Sequence, residues 1–177
     1  DEGLARRLLR SSVSDLSAMG ASPRGFLLSI ETAELPGRVG QMFWQGIDAE
    51  CVVLDLQLLG GNVVKSSGAL ALHCTCIGSV APDRQWRRSG AVAGDLLVVT
   101  GNPGQAAQAR ERIARGENLG GQDPWTSPQP RLLFAAALSS ALADASQQRQ
   151  PAVIDISDGL LVDLKRLCAA NHCSGRI

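Results

Sequence analysis

The spacing of apolar residues changes period repeatedly along this chain, and that alternation restricts the folds open to it. From Leu4, the positions Leu8, Leu9, Leu16 and Met19 recur at helical intervals until Gly20 and Pro23 interrupt them. Phe26 to Ile30 reads as a short buried strand. Val39, Met42, Phe43, Ile47, Cys51 and Leu54 return to the helical period, predicting a second helix from about Pro36. Leu56 to Leu59 predicts a strand running into Gly60-Gly61, and Leu70, Leu72, Cys74 and Cys76 alternate like a half-buried strand. Further strands are expected at Leu96–Thr100 and Ala152–Ile156. Helices are expected up to about Arg115, from Arg131 to about Ser146, and from Gly159 to about Ala170, with an exposed loop over residues 116–130. No internal repeat accompanies this interleaving, which belongs to α/β or α+β chains. The polar, basic stretch from Ser79 to Gly94 marks a boundary between two lobes, residues 1–80 and 85–177.

Charge and composition exclude several classes of function. Among 177 residues, 17 Lys and Arg balance 17 Asp and Glu, so no net field draws in nucleic acid or an anionic membrane. Aromatics make up only 3% and Tyr is absent, which leaves little with which to stack bases. The longest apolar run, Leu132 to Leu138, is far short of the roughly 18 residues that cross a bilayer. No basic-then-apolar segment opens the chain, and a soluble cytoplasmic protein is expected. The five cysteines, at 51, 74, 76, 168 and 173, read as reduced, mostly buried thiols. Neither Cys74-x-Cys76 nor the group Cys168, His172 and Cys173 has the spacing by which a tight turn grips zinc. On a strand, Cys74 and Cys76 share one face opposite His73, so core packing is the reading. The chain opens on Asp1 and ends, at Cys173 to Ile177, like a helix terminus leading toward another strand; it reads as a fragment.

Four stretches carry possible chemistry. In Ile154-Asp155-Ile156-Ser157-Asp158-Gly159-Leu160 a strand gives way to a helix. That places Asp155 and Ser157 on one face and Asp158 near a helix N-terminus, where free N–H groups attract an anion. Two carboxylates beside such an end suit a Mg2+–phosphate site, although Ser157 or Asp158 is equally suited to capping the helix. Asp15 interrupts an apolar helical pattern and faces either a cation or solvent. Gly60-Gly61-Asn62 allows close backbone approach to a ligand or forms an ordinary turn. Arg87-Arg88-Ser89-Gly90 offers guanidinium groups to a phosphate, or is a solvated linker.

Taken in order and spacing, these stretches resemble thiamine-monophosphate kinases. The run Ser14-Asp15-Leu16-Ser17-Ala18-Met19-Gly20-Ala21-Ser22-Pro23 is followed by Leu59-Gly60-Gly61-Asn62 and by Arg88-Ser89-Gly90-Ala91-x-x-Gly94-Asp95 with Val99-Thr100-Gly101. The string from Ile154 to Leu160 completes the series. The resemblance spans nearly the whole chain and covers the central part of those enzymes. It implies an α+β, two-lobed fold of the aminoimidazole ribonucleotide synthetase type, and ATP-dependent phosphorylation of thiamine monophosphate to thiamine diphosphate by direct transfer with Mg2+. It implies a homodimer as well. Carried over by position, Asp15, Asn62, Asp155 and Asp158 are the implied Mg2+ ligands, and Gly61, Asn62, Arg88 and Ser157 the implied nucleotide contacts. The family has Gly-Gly-Asp-Thr where this chain has Gly60-Gly61-Asn62-Val63, so a neutral amide replaces an anionic ligand. It also has an Asn at the position of Ser12, and flanking Gly-Asp-Asp, Ser-Thr-Asp and Gly-Gly-Glu-Asp segments that are not in this sequence. A non-catalytic relative that keeps the scaffold and nucleotide binding is therefore the alternative reading.

Overall fold

Two helix-forming runs and three β-branched or Leu-rich runs in the first 80 residues must bury their apolar sides against one another, and they do so as two helices on one face of a small sheet. A computed structural model describes residues 2–33, 40–144 and 149–177. Helix α1 spans Glu2–Ala18, strand β1 Ser22–Thr32, helix α2 Gln41–Leu54, strand β2 Gln57–Lys65 and strand β3 Ala71–Ser79. The expected start of α2 at Pro36 lies outside the described residues. The sheet order is β2-β1-β3, with β1 parallel to β2 and antiparallel to β3. The parallel pair needs a crossover, and α2 supplies it.

Alternation along β1 turns Phe26, Leu28 and Ile30 toward the helices, where they meet Ala5, Leu9 and Val13 of α1 and Phe43, Ile47 and Leu54 of α2. Side chains of this size contribute about 1.5–3 kcal/mol each when fully buried, so this cluster is what holds α1, α2 and the sheet together. Beneath it lies a buried ion pair. Glu50, 3% exposed, accepts from Arg10 Nε at 2.6 Å and from Arg6 Nε at 3.2 Å.

Strand β2 continues through Gly60-Gly61-Asn62 instead of stopping there. The register shifts at Leu59, with Phe26 opposite Leu58 and Leu27 opposite Gly60, and Gly60 takes φ +151° to absorb the extra residue. At Gly61 an added Cβ would sit 1.8 Å from the Leu28 carbonyl oxygen, so the pairing admits only glycine.

The remaining elements are α3 (Gln105–Ala114), α4 (Leu132–Asp144) and α5 (Leu160–Ala170). The expected strands at 96–100 and 152–156 are not formed among the described residues. Among the described residues Ala152 makes one isolated parallel bridge, to Arg87, and Leu96 and Val98 stand 90% and 68% exposed. A β pattern without a neighbouring strand has no ladder to join. The expected end of α4 near Ser146 falls beyond the described part of that helix. The loop at 116–130 is not simply exposed, because Arg6 donates to Gly121 O (3.0 Å) and Arg10 to Ser127 Oγ (3.0 Å). Arg7 also bonds Trp125 O and lies 3.5 Å over its ring, so α1 clasps the segment and buries Asp123 and Ser127. None of the five cysteines is buried; Cys173 is exposed and the other four are half-buried. No described helix is long and apolar enough to cross a membrane.

Candidate functional site

Gly20 brings α1 to the second half of the chain. It has φ +68°, and an added Cβ would lie 2.9 Å from the Trp86 ring, while Trp86 N–H donates to Met19 O at 3.1 Å. Arg88 thus lies two residues beyond Trp86, which is pinned against the end of α1. The Arg87–Ala152 bridge, with Val153 N–H donating to Arg87 O at 2.8 Å, carries the Asp155 strand-like segment to the same place.

Asp15, Arg88 and Asp155 consequently interact. Partial burial pushes the Asp15 carboxyl up, the Asp155 charge pushes it further, and Arg88 pulls it down. Ser157 Oγ donates to Asp155 Oδ2 at 3.0 Å. Two buried polar atoms in this region, Ser17 Oγ and Trp86 Nε1, have no hydrogen-bond partner among the described residues. Two carboxylates that repel one another beside one guanidinium are the kind of charge arrangement to which a cation and a polyanion can be added. Mg2+ commonly takes one or two protein carboxylates and fills its shell with water and phosphate oxygens, which suits this donor set. Among the described residues no three His, Cys, Asp or Glu side chains converge as a self-sufficient metal cage.

The N-terminus of α5 does not present open N–H groups to an anion. Asp163, 2% exposed and missed in the sequence reading, turns back from the first turn of the helix, and its Oδ2 accepts from the backbone of Ser157 (3.0 Å), Asp158 (3.0 Å) and Gly159 (3.2 Å). The protein's own carboxylate fills the nest expected to hold phosphate. Burial pushes the Asp163 carboxyl up, but those N–H donors and Arg166 outweigh it and hold it below the usual carboxylate range. An Asp four residues after the helix-starting glycine was the only available sequence signal. Asp158 points to Arg166 at 2.5 Å.

The loop bearing Arg88 is held from α5. Asn171 Oδ1 accepts from Gly90 and Ala91 N–H, both at 2.7 Å, and Nδ2 donates to Arg88 O at 2.7 Å. Arg149 closes the other side through Asp95 at 2.5 Å. Gly61 and Asn62 lie on β2, opposite Leu28 and Ser29 of β1.

Residues 1–80 match the AIR synthase related protein, N-terminal domain family. A thiamine-monophosphate kinase of Caulobacter vibrioides is 32% identical over 98% of this chain and 48% of its own length. The crystal structure of thiamine-monophosphate kinase from Stenotrophomonas maltophilia superposes with TM-score 0.79 at 28% identity, covering 97% of this chain and 54% of that one. AaThiL complexed with AMPPCP and TMP shares the fold, with TM-score 0.79 at 24% identity over 97% of this chain and 54% of that one. The chain spans about half the length of the curated relatives it matches. Motif order, α+β fold and these similarities converge: residues 1–80 match the AIR synthase related N-terminal domain, and the chain as a whole is similar to about half of a thiamine-monophosphate kinase.

Proposed function

We propose that this chain carries the Mg2+–ATP side of a kinase site whose phosphoryl acceptor is thiamine monophosphate. The observation that carries this reading is the meeting of Asp15, Asp155 and Arg88, because phosphoryl transfer asks a protein mainly to position the phosphates and neutralise their charge. In this reading Asp15 and Asp155 hold Mg2+, with Asp158 joining them once it leaves Arg166, and Asn62 offers a carbonyl oxygen from β2. Arg88 and Ser157 meet the nucleotide, and Gly61 lets the β2 backbone come close. Bound Mg2+ supplies charge neutralisation at the transferring phosphoryl group. Residues 1–80 and 85–177 serve as two lobes meeting at this site. The acceptor is proposed from the relatives, which are thiamine-monophosphate kinases, and from the solved complex with an ATP analogue and TMP. A homodimer through the outer edge of β2 belongs to the same reading: every residue of β2 is exposed, including Leu58, Leu59, Val63 and Val64.

Titration calorimetry with ATP in the presence of Mg2+ and then of EDTA tests the binding half. Affinity should fall at least roughly tenfold without the metal, and equal affinities would remove the assignment. Asn62 favours a second reading, nucleotide binding without transfer, since an amide neutralises no charge among phosphate-bound metal ions. With ATP, Mg2+ and thiamine monophosphate supplied together, thiamine diphosphate formation supports transfer, and Mg2+-dependent binding without product supports the second reading.

A further inference from the structure

The segment 88–94 forms neither strand nor helix, so no backbone ladder fixes it. Asn171, at the C-terminal end of α5, fixes it instead. An Asn side chain offers two donors and two acceptor lone pairs, and here all of them are used. Oδ1 accepts from Gly90 N–H and Ala91 N–H, and Nδ2 donates to Arg88 O and to Leu167 O, each at 2.7 Å. Three of these bonds grip the loop from Arg88 onward, and the one to Leu167 ties the amide to the last turn of α5. Arg87 O, one residue earlier, accepts from Val153 N–H at 2.8 Å, so the backbone at Arg88 is held from two directions. The Arg88 side chain is exposed, yet its charge reaches Asp15. A guanidinium meets phosphate through a planar fork whose orientation matters, and an exposed one takes its aim from its backbone.

We infer that Asn171 is a positioning residue for the Mg2+–ATP site: its amide fixes the backbone of residues 88–91 and so aims the Arg88 guanidinium at a phosphate of the nucleotide. This rests on the reading that Arg88 meets the nucleotide, and it adds a neutral side chain that acts through Arg88 without touching the ligand. With the amide removed, the loop has to be ordered at the moment of binding, which costs roughly three- to tenfold in affinity.

Titration calorimetry of Mg2+–ATP binding to the whole chain, compared among wild type, Arg88→Ala, Asn171→Ala and the double variant, tests this. Asn171→Ala should weaken binding by roughly three- to tenfold. The double variant should bind no more weakly than Arg88→Ala alone, since both changes remove one contact. Salt gives a second readout: wild-type affinity should fall more steeply with NaCl than that of either single variant, although Asn171 carries no charge. Asn171→Leu, which keeps the side chain's size and removes its hydrogen bonds, should match Asn171→Ala in both readouts and takes its place should that variant not fold. If Arg88→Ala leaves the affinity unchanged, the nucleotide contact itself fails and this inference with it. If Arg88→Ala weakens binding while the Asn171 variants bind like wild type, the contact stands and the positioning role is overturned. Losses that simply add, with the salt dependence of Asn171→Ala unaltered, overturn it equally.

Discussion

Arg166 Nη1 joins two carboxylates of unlike environment, Asp158 Oδ2 at 2.5 Å and Asp163 Oδ1 at 2.8 Å. Asp158 is more than half exposed at its side chain, and Asp163 is sealed in. The two arms therefore differ in energy. An exposed pair contributes about 0–1 kcal/mol, whereas an unsatisfied buried acceptor costs about 1–3 kcal/mol. Asp158→Asn should shift the urea midpoint little, and Arg166→Ala should lower stability by about 1–3 kcal/mol.

Asp163 also sets an acid limit. Its folded pKa lies below the unfolded value of about 3.9, so its contribution is complete above that value and is lost as pH falls through the folded pKa. Unfolding free energies measured at pH 6 and pH 3 should differ less in Asp163→Asn than in the wild type. The variant itself should be less stable at pH 6, since the amide replaces a charge-assisted acceptor of three N–H groups.

The two glycines of β2 should respond differently to the same change. Gly61→Ala drives a methyl group into the Leu28 carbonyl and should separate β1 from β2, a loss above about 4 kcal/mol that circular dichroism would read as failure to fold. Gly60→Ala meets nothing closer than Leu27 Cδ2 at 3.8 Å and should cost only the backbone strain at φ +151°, about 1–3 kcal/mol in a thermal melt.

Glu50 offers a test of the packing of α1 on α2. Replacing it with Ala leaves Arg6 and Arg10 facing an apolar core with no counter-charge, and breaking a buried pair in this way costs about 3–5 kcal/mol. Urea unfolding should show that loss. Val52→Ala, on the exposed side of α2, should stay within about 0.5 kcal/mol of the wild type.

What was legible in the sequence followed from local periodicity. Leu8, Leu9 and Leu16 announced α1, and the alternation of Leu72, Cys74 and Cys76 announced β3, because both elements bury one face against neighbours within the first 80 residues. Leu96 to Thr100 and Ala152 to Ile156 have equally clear strand spacing but find no partner strand among the described residues, and spacing alone does not report a partner. The glycines at 60 and 61 read as a stop, yet a parallel partner and a bulge turned them into strand. Asp15, Arg88 and Asp155 were visible as motifs, and the structure brings them together. Asp163 was not, because an acid in the first turn of α5 looks like any dipole-favoured residue until its backbone partners are known.

The pairing of Asp15 with Asp155 leads to a prediction in which stability and binding move in opposite directions. With no cation present, burial pushes the Asp15 carboxyl up, Asp155 pushes it further, and Arg88 offsets that repulsion only in part. Asp155→Asn removes one charge while its amide oxygen can keep accepting from Ser157 Oγ. Asp15 is solvent-exposed, so screening limits the gain, and the ligand-free variant should be more stable by no more than about 1 kcal/mol. Mg2+–ATP at a hundred times its dissociation constant should raise wild-type stability by about 2.7 kcal/mol. The same concentrations should protect Asp155→Asn by far less, because the cation has lost half of its carboxylate pair. Thermal melts of both proteins, with and without Mg2+–ATP, check this. A residue with a purely structural role would lower stability in both conditions, whereas a site built to accept a cation gives a small gain without ligand and a clear loss with it.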